Sequence, residues 1–299
     1  MAGPVPGGNH DATPGERLRA LLARPEPLVL PGCSDALTAR LAVGAGFEAV
    51  YATGAGIANT MLGVPDVGLT TMTELVDQVA RIAAAVDVPV VADIDTGFGN
   101  AINARRAIVE FERAGVAAIQ IEDQVFPKRC GHFSGKEIIP LAEMVAKLHA
   151  VLDARRDPAL VVIARTDALA VDGFEAAIER GRAFAEAGAD IVFIEAPVEL
   201  DQLAAMPGRV GAPLVANVVE GGRTPLLGAN ELGAMGYRIV IFANTAMRVG
   251  ARAIHDALAE LRATGDSRAL QDRMLSWEDR QALVGLPEIE ALEARYRVD

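Results

Sequence analysis

The first feature of this chain that reads as chemistry is a cysteine set among cations. Cys130 lies in "PKRCGH", flanked by Lys128, Arg129, Gly131 and His132, and only one other cysteine, Cys33, occurs in 299 residues. Buried cysteines are usually small apolar fillers, and fillers are not ringed by cations. A thiol titrates near about 8.5, and neighbouring positive charge lowers that value. Cys130 is therefore a candidate proton donor or acceptor near neutral pH. A zinc site would need a second cysteine or a histidine cluster close by, and neither is present. No Cys–His–Asn pattern supports a nucleophilic thiol. On spacing alone, an incidental thiol in a solvated loop remains the better reading. Cys33 reads as a packing residue.

A second set of polar residues interrupts apolar runs. Tyr51 and Thr53 end one run, Asp93 and Asp95 the next, and Glu122, Arg165, Glu195 and Asn217 end four more. Residues two apart in a strand share a face, so Asp93 and Asp95 are read together. Carboxylates converging on one site repel, by about 4 kcal/mol for a pair about 4 Å apart at an effective dielectric of about 20. A bound cation relieves this, and all-oxygen ligands favour a hard ion such as Mg²⁺, with Mn²⁺ an alternative. Asp93 and Asp95 are the best metal-site residues and Glu122 the next. Arg165 and Arg129 suit a substrate carboxylate, which guanidinium grips at two points; an ordinary salt bridge explains Arg165 equally well.

The elements that must carry these residues are legible. Eight apolar runs recur, at 27–32, 49–54, 89–95, 118–123, 160–167, 191–197, 213–218 and 238–243. Runs of this kind suit strands buried on both faces of a parallel sheet. Helix-period segments lie between them, several ending in Gly just before the next strand. Eight such units in series predict a (β/α)8 barrel, with a doubly wound open sheet as the alternative. The site residues then fall at the C-terminal ends of the strands, where barrel enzymes place their chemistry. The loop from Gln124 to about Pro140 is longer than a barrel needs and is placed to cover the mouth. The expected organisation is a disordered tail over 1–15, the barrel over 16–264, and a helical arm over 265–299.

Composition sets the outer limits. The apolar fraction is 51% and the formal net charge −12, which argues against a nucleic-acid or anionic-membrane partner. Two cysteines make no disulfide framework. The N-terminus lacks the cationic start and apolar core of a signal peptide, so a cytoplasmic protein is expected.

From about Pro27 to Arg248 the chain resembles the isocitrate lyase/phosphoenolpyruvate mutase superfamily. The resemblance rests on "YATGAG", "LGVPDVG", "DIDTGFGN", "IEDQVFPKRCGH", "ARTDA", "EAP" and "ANVVEGGRTP". It is nearest to the short 2-methylisocitrate lyases and 2,3-dimethylmalate-lyase-like members. "KRCGH" after "IEDQ" is the lyase signature, though carboxyphosphonoenolpyruvate mutases share it. The resemblance implies a Mg²⁺-dependent carbon–carbon lyase that cleaves a 2-hydroxy di- or tricarboxylic acid to pyruvate or another 2-keto acid. Phosphonate chemistry or oxaloacetate decarboxylation on the same scaffold is the alternative. It implies Mg²⁺ around Asp93 and Asp95, partly through water, with Glu122 nearby. Thr53, Gly54 and Ala55 match the segment at the keto-acid end, and Asp66 a loop carboxylate beside it. Arg165, Glu195, Asn217 and Arg248 match substrate contacts. Cys130 matches the thiol that protonates the departing carbanion, with Arg129, Gly131 and His132 around the leaving carboxylate, and Tyr51 is the candidate base. It also implies a homotetramer, a dimer of dimers with the terminal helix exchanged between neighbours. Three positions depart from the pattern: Ala55 where many lyases have Gly, Ser34 for an aromatic, and "IFANTAMR" without the usual proline.

Overall fold

The eight apolar runs become eight parallel strands in the computed structural model, which describes residues 11–131 and 135–298. They are β1 (Leu28–Cys33), β2 (Val50–Ala52), β3 (Val90–Asp93), β4 (Ala118–Glu122), β5 (Val161–Thr166), β6 (Ile191–Ile194), β7 (Leu214–Asn217) and β8 (Tyr237–Phe242). Each pairs with the next, and β1 pairs with β8 through Leu28↔Ile239 to Pro31↔Phe242, so the sheet closes. That last ladder decides for the (β/α)8 barrel and against an open doubly wound sheet.

Burial on both faces explains the near-continuous apolar runs. Side chains alternate across each strand. Leu30, Tyr51, Val91, Ile163, Phe193 and Ile239 fill the barrel interior. Their neighbours Val50, Ala92, Ile119, Val162, Val192 and Val240 pack outward against the helices.

The helices are α1 (Pro14–Leu22), α2 (Ala36–Gly44), α3 (Gly54–Ile57), α4 (Met72–Ala85), α5 (Ala101–Arg113), α6 (Leu141–Ala154) and α7 (Ala168–Val171). They continue as α8 (Phe174–Glu186), α9 (Leu200–Val210), α10 (Ala229–Met235), α11 (Thr245–Thr264), α12 (Trp277–Leu283) and α13 (Leu286–Tyr296). The glycines expected as helix stops, Gly115 and Gly188, take φ of +88° and +102°, which residues with a Cβ rarely adopt.

Helix α1 starts at Pro14, inside the segment assigned to the tail, because Thr13 and Glu16 form a reciprocal capping box. Leu18 and Leu21 of α1 join the interior cluster and plug the N-terminal end of the barrel. Arg19 fastens the plug to Asp190 at 2.6 Å. The rest of the expected tail, residues 1–10, lies outside the described residues.

At the other end, α11 stops at Thr264, where Gly265 takes φ +66°. None of its 20 residues is buried. The arm beyond touches the barrel through α12 on α2, with Arg40 Nη1 donating to the Leu283 carbonyl at 3.1 Å. No helix among the described residues is long and apolar enough to cross a membrane.

Candidate active site

The strand ends converge on a cavity of about 260 Å³ at the C-terminal mouth. Tyr51 from β2, Asp93 from β3, Arg165 from β5, Asn217 from β7 and Glu195 just beyond β6 all line it. So do Thr53, Ala55, Asp66, Cys130, Gly131 and Arg248. Alternation puts these strand residues inside, since each lies an even number of residues from an interior apolar neighbour, as Asp93 from Val91 and Arg165 from Ile163. Thr53 also caps α3, its hydroxyl accepting from Gly56 N at 3.3 Å.

Three predicted residues stand behind the lining. Gly54 lies against the acidic pair, where a Cβ would come 3.1 Å from Asp93 Oδ2 and 3.3 Å from Asp95 Oδ1. Asp95 and Glu122 are buried beside it, at 5% and 1% exposure. Asp95 takes a left-handed φ of +50°, a strained conformation for a residue with a Cβ.

The loop after β4 carries Cys130 to this mouth on a short neck. Val125 N donates to the Glu137 carbonyl and Ile139 N to the Asp123 carbonyl, each at 2.8 Å. Two lysines then bolt it down. Lys128, 3% exposed, places Nζ 2.6 Å from Asp66 Oδ1 and 2.8 Å from Asp95 Oδ1. Lys136 Nζ donates to the Gly131 carbonyl and to Asp167 Oδ1, both at 2.5 Å. Cys130 N donates to the Asp66 carbonyl at 3.1 Å. Gly131 packs so tightly that a Cβ would sit 2.5 Å from Arg165 Nη2 and 2.6 Å from Glu195 Cγ.

Arg129, expected beside a leaving carboxylate, does not line the cavity. Its side chain is exposed. Gln124 grips its main chain on both sides, at 2.9 Å to the N–H and 2.8 Å to the carbonyl. Lys128 and Cys130, two apart, turn inward instead. His132 lies outside the described residues.

Arg165 is both a cavity residue and a salt-bridge residue. Its guanidinium lies 3.0 Å from Asp167, 3.3 Å from Glu122 and 3.6 Å from Glu195, and covers the Phe193 ring at 5.3 Å. Asn217 is half-buried. Arg248 reaches the rim, where Nη1 donates to the Glu220 carbonyl at 2.6 Å.

Burial dominates the electrostatics. It pushes Glu122 well above the ordinary carboxylate range, with Arg165 and Lys128 opposing it. It pushes Asp95 up to about 6, against the pull of Lys128. Burial disfavours charge on Lys128 as well, but Asp95, Asp66, Glu122 and Asp93 together hold that ammonium well above its usual value. The Tyr51 phenol is driven well above 10 by burial and then by Asp93. A phenol shifted in that direction takes a substrate proton only with the help of a bound cation, on which the base role expected for Tyr51 depends.

The metal expectation needs revision in detail. Among the described residues no three acidic, histidine or cysteine side chains close up into a ready-made metal site. Asp95 is taken by Lys128 and Glu122 by Arg165. Asp93 lines the cavity, and no described cation pairs with it. A divalent ion nevertheless fits. Among the described residues the buried charged groups number six carboxylates (Asp93, Asp95, Glu122, Asp123, Asp167, Glu195) against four cations (Lys128, Lys136, Lys147, Arg165). With all ionised, the shortfall is two positive charges. Both Glu122 carboxylate oxygens are also buried without a hydrogen-bond donor, which is costly unless a water or ion supplies one.

Several residues of the site escaped the sequence reading: Lys128 and Lys136 as buried anchors, Asp167 behind Arg165, and Phe193, Glu220 and Asn244 on the wall. The spacing of Lys128 and Cys130 was the one usable signal, since residues two apart in extended chain share a side.

Comparison with known proteins places this geometry among relatives. Residues 18–262 match the family model described as phosphoenolpyruvate phosphomutase. The chain is 45% identical over 280 residues to a 2,3-dimethylmalate lyase of Eubacterium barkeri, covering 94% of this chain and 97% of that one. It is 43% identical over 281 residues to a 2-methylisocitrate lyase of Aeropyrum pernix, covering 94% and 90%. Among solved structures, oxaloacetate acetylhydrolase with 3,3-difluorooxalacetate superposes with a TM-score of 0.90 at 35% identity, covering 94% and 96%. Phosphonopyruvate hydrolase in complex with oxalate and Mg²⁺ does so with a TM-score of 0.86 at 33% identity, covering 95% and 99%.

Proposed function

The chain belongs to the phosphoenolpyruvate phosphomutase family, within the phosphoenolpyruvate mutase/isocitrate lyase superfamily, and from that premise we propose that this carbon–carbon lyase cleaves a 2-hydroxy di- or tricarboxylic acid of the 2,3-dimethylmalate or 2-methylisocitrate type. The products are pyruvate or another 2-keto acid and a carboxylic acid. The observation that carries the reading is the placement of Cys130 on the same small cavity as Asp93, Arg165 and Asn217. A thiol placed there can protonate the carboxylate fragment that leaves when a hydroxy acid is cleaved, a second carboxylate fragment that decarboxylation does not produce.

Arg165 and Asn217 hold substrate carboxylate, and Arg248 closes the rim. Thr53 and Ala55 line the keto-acid end. The C2 hydroxyl proton passes to a base on the cavity wall, with Tyr51 as the candidate, as that oxygen becomes the keto group. When C2–C3 breaks, the electron pair stays on the departing fragment, and the Cys130 thiol delivers its proton to that carbon. The packed loop excludes water while the fragment is reactive. Asp93 would hold Mg²⁺, with Asp95 and Glu122 acting through water, and the ion would polarise the C2 oxygen and its carboxylate.

We also propose a homotetramer, supported by the unburied apolar face of α11, and a cytoplasmic setting, which suits a thiol that must stay reduced. The test of function is keto-acid release from a panel of 2-hydroxy acids, run beside phosphorus NMR with phosphonate substrates. Cleavage should vanish with chelator and fall by about a hundredfold or more in Cys130→Ser. Phosphonate turnover alone, or full turnover by the serine variant, would sink the reading.

A further inference from the structure

Asp167 stands behind the cavity wall, one residue past β5, with its side chain 0% exposed. Two different cations share its carboxylate. Oδ2 accepts from Arg165 Nε at 3.0 Å, and Oδ1 from Arg165 Nη2 at 3.3 Å. Oδ1 also accepts from Lys136 Nζ at 2.5 Å, and the same ammonium donates to the Gly131 carbonyl at 2.5 Å. Gly131 follows Cys130 directly. The carboxylate is itself held in place. Asp167 N donates to Asp123 Oδ1 at 3.0 Å, and Thr166 and Arg180 occupy Asp123 Oδ2 at 2.6 and 3.0 Å.

We propose that Asp167 is a positioning residue that couples the two working parts of the cavity. One carboxylate sets the direction of the Arg165 guanidinium and, through Lys136, the place of the Gly131 carbonyl and of the Cys130 thiol beside it. Simple neutralisation of Arg165 does not require this arrangement, because Glu122 and Glu195 already lie 3.3 and 3.6 Å from it. Asp167 adds direction. It takes the Nε–Nη2 edge side-on, a geometry that fixes the guanidinium plane, and leaves Nη1 toward Glu195. A substrate carboxylate gripped by Arg165 and the thiol that protonates the other fragment are thereby referred to one rigid point. Holding reacting groups within a fraction of an ångström is a large part of catalysis.

The inference rests on the lyase reading for turnover but not for the thiol. The experiment is a double-mutant cycle on the full chain with Asp167→Asn, Lys136→Met and the pair. It has two readouts: keto-acid formation, and the rate of iodoacetamide modification of Cys130 mapped by peptide mass. Fully buried Cys33 reports folding by staying unmodified. Each single variant should change the Cys130 rate by about fivefold and lower kcat by about tenfold, and the pair should go no further than the more affected single. Lys136→Met should also raise KM, although Lys136 does not line the cavity, and Lys136→Arg should recover most of the loss. Should Asp167→Asn fail to fold, the two Lys136 variants decide the matter alone. A Cys130 rate within about twofold of wild type in Lys136→Met, or effects that multiply in the pair, overturns the coupling. If the wild-type protein cleaves no hydroxy acid, the lyase reading fails and the thiol readout still decides the coupling.

Discussion

The opposed demands on single residues are clearest at Gly131 and Asp95. Gly131 has no room for a methyl group, since a Cβ would lie 2.5 Å from Arg165 Nη2 and 2.7 Å from Glu195 Cδ. Gly131→Ala must therefore move the guanidinium or lift the loop. We expect kcat to fall by about a hundredfold with the fold intact, measured as steady-state turnover beside circular dichroism; turnover near wild type would show that the loop sits elsewhere in the working enzyme. Asp95 carries a proton more tightly when folded, at about 6, than an ordinary aspartate at 3.8. A folded-state value above the unfolded one means that ionisation works against folding. The contribution of this group is present below about pH 4 and is lost as pH rises through about 6. Asp95→Asn should therefore lose less Tm than wild type between about pH 4 and pH 6.5 in chelator, and an equally steep decline would refute the assignment.

Elements divide into those that hold the barrel and those that aim its mouth. Helix α1 belongs to the first group. Leu18 is fully buried in the barrel floor, at the end opposite the cavity. Leu18→Ala should cost about 2–5 kcal/mol in urea unfolding and leave kcat/KM unchanged; a loss of turnover without a loss of stability would contradict this division. The loop after β4 belongs to the second group. Its neck, its two buried lysines and its contact with Asp66 form a scaffold for one thiol, and Lys128 and Lys136 are costly to bury unless paired. Their pairing with Asp66, Asp95 and Asp167 shows where the loop's position is determined.

At the scale of the molecule, charge and apolar surface are segregated. Each of the ten charged side chains buried among the described residues lies at the C-terminal mouth or in the shell behind it, while α11 leaves Val249, Ile254 and Leu258 at 67%, 62% and 60% exposure. In the proposed tetramer that uncovered face would be the assembly surface. Ile254→Asp with Leu258→Asp should yield a smaller species by light scattering at unchanged helix content; a wild-type monomer would refute the tetramer. The barrel was legible in the chain because strand alternation, apolar runs and glycine stops are local patterns, readable within ten residues. The inward residues at strand ends were legible for the same reason, since Asp93, Arg165 and Asn217 interrupt apolar runs at even spacing. Which cation of "PKRCGH" faces inward was not, because Gln124 and Asp66 decide it from outside the motif. Nor was the upward shift of the Tyr51 phenol and the Glu122 carboxyl, which burial drives. The sequence by itself determined the strands, their order and the acidic mouth. Only the tertiary structure decided closure through β1 and β8, the inward turn of Lys128 and Cys130, and the sharing of Asp167 between Arg165 and Lys136. Those depend on groups 30 to 210 residues apart in the chain, roughly the span from Lys136–Asp167 to Leu28–Ile239, and on a desolvation that no local pattern encodes.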